Sequence, residues 1–110
     1  MVNTFTAYEK EAVRTAPPAE TPTDMLLLGA LGVAGESGEY ADLIKKQLYH
    51  GHAPDREKAL DELGDILWYV AYAARSWMSD LGDVAYRNTM KLRRRYPDQF
   101  SSERSIHRVE

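Results

Sequence analysis

The sequence has no cysteine, and this absence excludes several kinds of chemistry. Disulfides, a thiol nucleophile and a thiolate metal site are ruled out, and nothing requires an oxidising compartment. The longest apolar run, Met25 to Gly35, is shorter than the roughly 20 residues that span a bilayer. It also lies too far from the N-terminus for a signal peptide. We therefore expect a soluble, cytoplasmic protein with no membrane partner.

The sequence also has little excess charge of either sign. Its formal net charge is −3, from 14 basic and 17 acidic side chains in 110 residues. A protein that binds nucleic acid regardless of sequence normally has a basic face, so we expect no nucleic-acid partner. The 44% hydrophobic and 28% charged residues are ordinary values for a folded domain. A core of this size is modest, so self-association would add useful burial.

No segment alternates apolar and polar residues as a half-buried strand does, whereas helical spacing recurs along the chain. Before Pro17 and Pro18 we predict a short first helix, which a capping box of Thr6 and Glu9 could start. Three longer helices follow, and their predicted limits are Thr21 to about Tyr49, Asp55 to about Met78, and Leu81 to about Tyr96. Ser79 or Asp80 would cap the last of these.

The predicted fold is an all-α antiparallel bundle of about four helices, completed by oligomerisation. Two long central helices form a hairpin, with the shorter ones packed beside it. We predict one domain over residues 1–110, with its core at about 22–97. The polar tail, 98–110, is poorly patterned and is expected to be an extended arm or partly disordered. A stripe on the third helix is predicted to face the core: Leu60, Leu63, Leu67, Val70 and Ala74.

Two acidic pairs occupy the central helices at the same spacing. Glu36 and Glu39 are three residues apart on the second helix, and Glu62 and Asp65 are three apart on the third. Residues at this spacing are neighbours on a helix surface, so each pair points one way. The turn between the helices is long enough to bring the pairs together. A single pair of this kind usually belongs to a solvated face, and that interpretation has to be tested against the surrounding residues.

The faces that carry these acids are otherwise apolar or small. Tyr69 and Tyr72 share the side of the third helix, and Gly29 and Gly32 share the side of the second, where no lysine occurs before Lys46. Carboxylates gathered there would repel one another, and a divalent cation resolves that conflict. Oxygen donors without sulfur or a histidine pair favour Mg²⁺, with Mn²⁺ as a possible substitute. Glycines within the helices suggest close approach by a neighbouring helix or a ligand.

A possible phosphate-binding face lies on the fourth helix. Asn88, Lys91 and Arg95 share it, and their side chains suit a phosphate, a sugar or a base. Basic residues that merely complement the negative end of the helix dipole are an equally simple interpretation. Three aromatic residues could stack on a base, although a core position is the favoured interpretation for each: Trp68, Tyr69 and Tyr72.

Three stretches together resemble a known family. Gly35 to Glu39, Asp61 to Tyr69 and Asn88 to Pro97 look like segments of MazG-type nucleotide pyrophosphohydrolases, in the all-α NTP pyrophosphatase superfamily. The resemblance covers about residues 25–100. It implies that four acids hold Mg²⁺: Glu36, Glu39, Glu62 and Asp65. It also implies that three residues of the fourth helix contact the substrate: Asn88, Lys91 and Arg95. It further implies a dimer or tetramer with sites near subunit interfaces.

The activity implied by the resemblance is hydrolysis of (d)NTP to (d)NMP and pyrophosphate, which removes unwanted nucleotides. As a hypothesis, water attacks phosphorus with Glu36 or Glu39 nearest to it, and the sequence does not separate base from ligand. Two alternatives stay open. One is the same chemistry on phosphoribosyl-ATP. The other is a helical interaction module that is not an enzyme and whose acids bind a structural cation.

Overall fold

The computed structural model describes residues 4–108, and every regular element in this range is helical. The all-α prediction is therefore confirmed for the described residues. Residues 1–3 and 109–110, at the two ends of the predicted domain, lie outside the described residues. Five helices follow in chain order: α1 Phe5–Val13, α2 Pro22–Tyr49, α3 Arg56–Ser76, α4 Leu81–Arg95 and α5 Ser102–Ile106.

Side-chain caps set the helix starts, because a polar side chain can accept from an otherwise unpaired amide of the first turn. Thr21 begins α2 as predicted, with its hydroxyl accepting from the Asp24 amide at 3.1 Å. Asp55 caps α3 by accepting from the Lys58 amide at 3.0 Å. At α4 the cap is Asp80.

The prediction for the start of α1 was wrong. Thr4, not Thr6, is the cap, and it accepts from the Ala7 amide at 3.1 Å. Glu9 has a different partner from the predicted one, because its carboxylate accepts from the Leu81 amide at 3.1 Å. This bond joins α1 to the first turn of α4, a long-range contact that local spacing does not reveal.

The helix ends agree with the sequence except at α3 and in the tail. Gly51 lies at φ 76 just after α2, where a residue without Cβ is favoured. α3 ends at Ser76, two residues earlier than predicted, and the turn that follows holds Met78 at φ 59. The tail contains α5, which begins because the Ser101 hydroxyl accepts from the Arg104 amide at 3.0 Å.

The predicted hairpin of α2 and α3 is the main contact of the fold. Two glycines of α2 permit it. A Cβ on Gly29 would lie 3.0 Å from Ala73 Cα, and a Cβ on Gly32 would overlap the Tyr69 ring. The expectation of close approach does not extend to Gly35 or Gly38, where an added Cβ meets nothing within 4 Å in the protomer.

The core lies where α1, α3 and α4 meet. Its fully buried apolar residues in the described range are Ala71, Tyr72, Ala74 and Leu81. The predicted core stripe is wrong at its first two positions, since Leu60 is 47% and Leu63 is 43% exposed. Helix α1 contacts α3 from Trp68 onward, so it leaves the first turns of α3 uncovered.

Within residues 4–108, no helix has the length and hydrophobicity needed to cross a bilayer.

Candidate functional site

Three of the four predicted metal-binding carboxylates come together between α2 and α3. Glu36, Glu62 and Asp65 each offer one oxygen, and these oxygens all lie within 4.8 Å of one another. Glu62 and Asp65 are one helical turn apart, and the hairpin sets Glu36 of α2 opposite them. Glu36 and Glu62 are half-buried, whereas Asp65 is exposed.

The three carboxylates carry charge of the same sign without a basic partner. Among residues 4–108, no ion pair within 4.0 Å joins Glu36, Glu62 or Asp65 to a Lys or Arg. The pKa of Glu36 is raised, first because burial disfavours its charge and then because Asp65, Glu62 and Glu39 repel it. A cation bound here would remove that repulsion.

The donor set fits Mg²⁺. Two oxygens bound to one Mg²⁺ at about 2.1 Å are at most about 4.2 Å apart. The observed limit of 4.8 Å needs only small side-chain rotations to reach that spacing. All three donors are hard carboxylate oxygens, which Mg²⁺ and Mn²⁺ prefer, and waters or phosphate oxygens can occupy the remaining positions of an octahedron.

Glu39 does not join this close group. It lies one turn beyond Glu36 on α2, is exposed, and still contributes to the raised pKa of Glu36. Its direct contact with a metal ion stays a prediction. The structure instead places Glu39 in the wall of a neighbouring cleft, which it shares with Glu62.

The cleft has a volume of about 340 Å³ and lies between the end of α2 and the start of α3. Lys46, Lys58 and His52 line it. Lys46 pairs with Asp42 at 2.9 Å, and the hydrogen bonds from Lys46 and Lys45 hold the pKa of Asp42 at about 2. Sequence analysis assigned no site role to these lysines. The spacing of Lys58, four residues before Glu62 on one helix face, was the available signal.

The predicted substrate-binding residues of α4 are not brought to the carboxylates within one protomer. Asn88 and Lys91 are exposed, and in the described part of the chain no hydrogen bond or ion pair joins either to the close group. Lys91 is also absent from the charges that shift the pKa of Glu36. Arg95 is half-buried at the end of the same helix.

Of the three aromatic residues near the site, Tyr72 has the predicted core position, whereas Trp68 and Tyr69 are half-buried. Trp68 stacks on Tyr72 at 5.5 Å between ring centroids and meets Tyr69 edge-on at 4.8 Å. Tyr72 is only 3% exposed. The ring of Tyr69 packs against Gly32, one turn from the carboxylates on both helices, so this contact sets the separation of α2 and α3 beside the site.

The charge of Asp65 also acts on Tyr8 of α1, an effect that sequence analysis did not predict. Its side chain is half-buried, and its pKa is raised, first by burial and then by the negative charge of Asp65. The apolar spacing of α1 indicated a packed face and gave no sign of where that face would dock.

The chain is similar to a known protein family. The model of the MazG nucleotide pyrophosphohydrolase domain matches residues 27–100. The Gene 37 protein of Mycobacterium phage L5 is 38% identical over 69 residues, which are 59% of this chain and 60% of that protein. The chain thus spans about 60% of the length of this curated relative. No solved structure matches the chain significantly. The family model covers well over half of the sequence, and the chain therefore belongs to the MazG nucleotide pyrophosphohydrolase domain family.

Proposed function

We propose that this protein is a Mg²⁺-dependent nucleoside triphosphate pyrophosphohydrolase that converts (d)NTP and water into (d)NMP and pyrophosphate. The observation that carries the proposal is the close group of Glu36, Glu62 and Asp65, whose like charges have no basic partner in the described chain. Its place in a chain of the MazG family adds support. We further propose a single domain over residues 1–110 and a role in clearing unwanted nucleotides.

The three close carboxylates would hold the ion, and Mn²⁺ could replace Mg²⁺. When bound, Mg²⁺ would neutralise phosphate charge and make water more acidic. The geometry favours Glu39 over Glu36 as the base, because Glu39 lies outside the close group and lines the cleft. A Glu39 oxygen would accept a proton as the water oxygen bonds to phosphorus. The phosphoanhydride bond then breaks and pyrophosphate leaves.

Basic residues of the cleft would bind the polyphosphate. Lys58 makes no ion pair among the described residues, and the one ion-pair partner of Lys46 there is the half-buried Asp42. Both can place a positive charge on a phosphate that enters beside Glu39 and Glu62.

We infer that a second copy supplies Asn88, Lys91 and Arg95 to the site. A compact monomer of this mass exposes about 6,200 Å², calculated from its 12.5 kDa. The protomer exposes 8468 Å². The excess, about 2,300 Å², exceeds the roughly 800 Å² that each partner contributes to a standard interface.

Exposed apolar side chains support a contact with a second copy. Leu27 and Leu31 on α2, with Leu60 and Leu63 on α3, are between 43% and 62% exposed. Leaving such side chains in water forgoes much of the stabilisation that a small domain needs. We therefore propose a dimer or tetramer whose contacts include these leucines, with α4 of one copy reaching the carboxylates of another.

The decisive experiment is hydrolysis of the eight common ribo- and deoxyribonucleoside triphosphates, and of phosphoribosyl-ATP, with pyrophosphate scored against orthophosphate. We expect Mg²⁺-dependent pyrophosphate release that Glu36→Gln lowers at least about 100-fold. Glu20→Gln, an exposed change just before the start of α2, is the matched control and should act like wild type. Turnover of phosphoribosyl-ATP alone would move the assignment to that substrate.

A helical module that is not an enzyme predicts a different result. Such a protein would melt at a higher temperature with Mg²⁺ and hydrolyse none of these compounds. That outcome, or turnover that survives both EDTA and Glu36→Gln, would overturn the proposed function.

A further inference from the structure

We propose that α2 pairs with α2 of a second copy, antiparallel and crossing at Gly38, through the face that points away from α3. This pairing is a property of the surface of α2 and holds whether or not the proposed reaction does. Within the described chain, α3 is the helix that packs along α2, and it covers the side that carries Gly29 and Gly32. The opposite side of this 28-residue helix is left in solvent.

The exposed face of α2 has the spacing of a seam between two helices. Seven of its residues follow one another at steps of four and three residues, which keeps them on one side of the helix. All seven are exposed, and the three leucines among them are between 55% and 69% exposed. These residues form the α2 stripe: Leu27, Leu31, Ala34, Gly38, Ala41, Lys45 and Leu48.

The order of side-chain sizes along the α2 stripe is self-complementary. Small residues lie in the middle and large ones at both ends, so two copies match when their helices run in opposite directions. Leu27 then lies opposite Leu48 of the partner subunit, and Ala34 lies opposite Ala41 of the partner subunit. The two-fold axis passes Gly38, where an added Cβ meets nothing within the protomer. Ala would fit there too, whereas a long side chain would separate the helices.

Lys45 decides the direction of the pair. In a parallel pair it would face Lys45 of the partner subunit, and like charges placed together repel. In the antiparallel pair it faces Leu31 of the partner subunit instead. Its amino group stays with Asp42 at 3.0 Å, and its methylene stem can cover the leucine. Antiparallel helices also place opposite ends of their dipoles together.

A second copy of this chain is the partner that the α2 stripe fits. A symmetric order of sizes is what a contact between identical surfaces requires. The stripe is about 30 Å long, at 1.5 Å per residue. The area that the protomer exposes beyond a compact monomer also exceeds what a standard interface takes from each partner. Because Glu36 and Glu39 lie within one turn of Gly38, the pair would bring the two sites close to the two-fold axis.

The absence of cysteine makes the test direct, because a disulfide between chains can form only at an introduced residue. Gly38→Cys tests the crossing, since two Cα atoms up to about 7 Å apart can be bridged. Ser37→Cys is the matched control, because Ser37 is exposed but points about 100° away from the stripe. In a glutathione buffer we expect at least about 10-fold more cross-linked dimer from Gly38→Cys, since a held pair has a high effective concentration. Equal cross-linking of the two variants would overturn the crossing.

The direction of the pair has its own test, which also decides the matter if Gly38→Cys does not fold. Ala34→Cys and Ala41→Cys should cross-link to each other when mixed. Neither should cross-link to itself, because like residues are about 10 Å apart along the axis of an antiparallel pair. Self-cross-linking of Ala34→Cys would indicate a parallel pair and overturn the proposal. A wild-type protein that scatters light as a single chain would overturn it as well. These readouts do not involve turnover, so failure of the proposed reaction is a separate result.

Discussion

Gly32 lies under the ring of Tyr69, and the α2–α3 separation beside the carboxylates depends on the absence of a Cβ at this position. Replacing Gly32 by Ala has two opposing effects. Helix propensity favours Ala by about 1 kcal/mol. The new methyl must displace the Tyr69 ring, and overpacking of this kind costs about 1–3 kcal/mol. We therefore expect Gly32→Ala to be neutral to destabilising by up to about 2 kcal/mol.

Two other glycines isolate the packing effect. An added Cβ on Gly38 of α2 or Gly64 of α3 meets nothing within 4 Å, so Ala there should stabilise the protein by about 1 kcal/mol. Propensity is the same in all three variants. The difference between Gly32→Ala and either control is thus the overpacking cost, about 1–3 kcal/mol.

The assay is urea unfolding with EDTA at one fixed protein concentration, because stability depends on concentration if the protein self-associates. Agreement between the Gly38→Ala and Gly64→Ala controls guards against an intersubunit contact at one of them. The turnover of Gly32→Ala should fall as well, since Glu36 lies one turn away on α2. If Gly32→Ala is as stable as both controls, α2 and α3 do not pack as described.

Four further outcomes follow from the site and from the proposed subunit contact. Burial and neighbouring carboxylates raise the pKa of Glu36, so the folded state binds more protons than the unfolded state, and stability with EDTA should fall as pH rises above about 4.5. The measurement is the urea midpoint of unfolding as a function of pH. Glu36→Gln or added Mg²⁺ should weaken this pH dependence, and an unchanged dependence would contradict the electrostatic argument. Lys58→Ala should raise KM for triphosphate about 10-fold or more while leaving the Mg²⁺ titration alone, and an unaltered KM would exclude Lys58 from phosphate binding. Leu31→Glu should shift the mass measured by light scattering toward that of one chain, whereas an unchanged mass would place the subunit contact elsewhere. Mixing inactive Glu36→Gln and Lys91→Ala subunits should restore part of the turnover if α4 acts across the interface, and no recovery would argue for a site made by one chain.

The sequence by itself determined the features that depend on neighbours along the chain. The start of α2 has a local signal in Thr21 and Pro22, which act on its first turn. The end of α2 has a local signal in Gly51, which acts on its last turn. Helix geometry alone likewise makes the two acids of each pair neighbours on one helix face, because they are three residues apart. For this reason the helices and the family resemblance could be predicted before any coordinates.

Tertiary structure alone decided which residues meet. Glu36 joins Glu62 and Asp65, whereas Glu39 lines the cleft. The sequence pattern does not distinguish these two glutamates. Glu9 reaches Leu81 only because α1 docks across α3 and α4. These outcomes depend on the angle and separation between helices, which packing at Gly29 and Gly32 sets and which periodicity along a single helix does not encode.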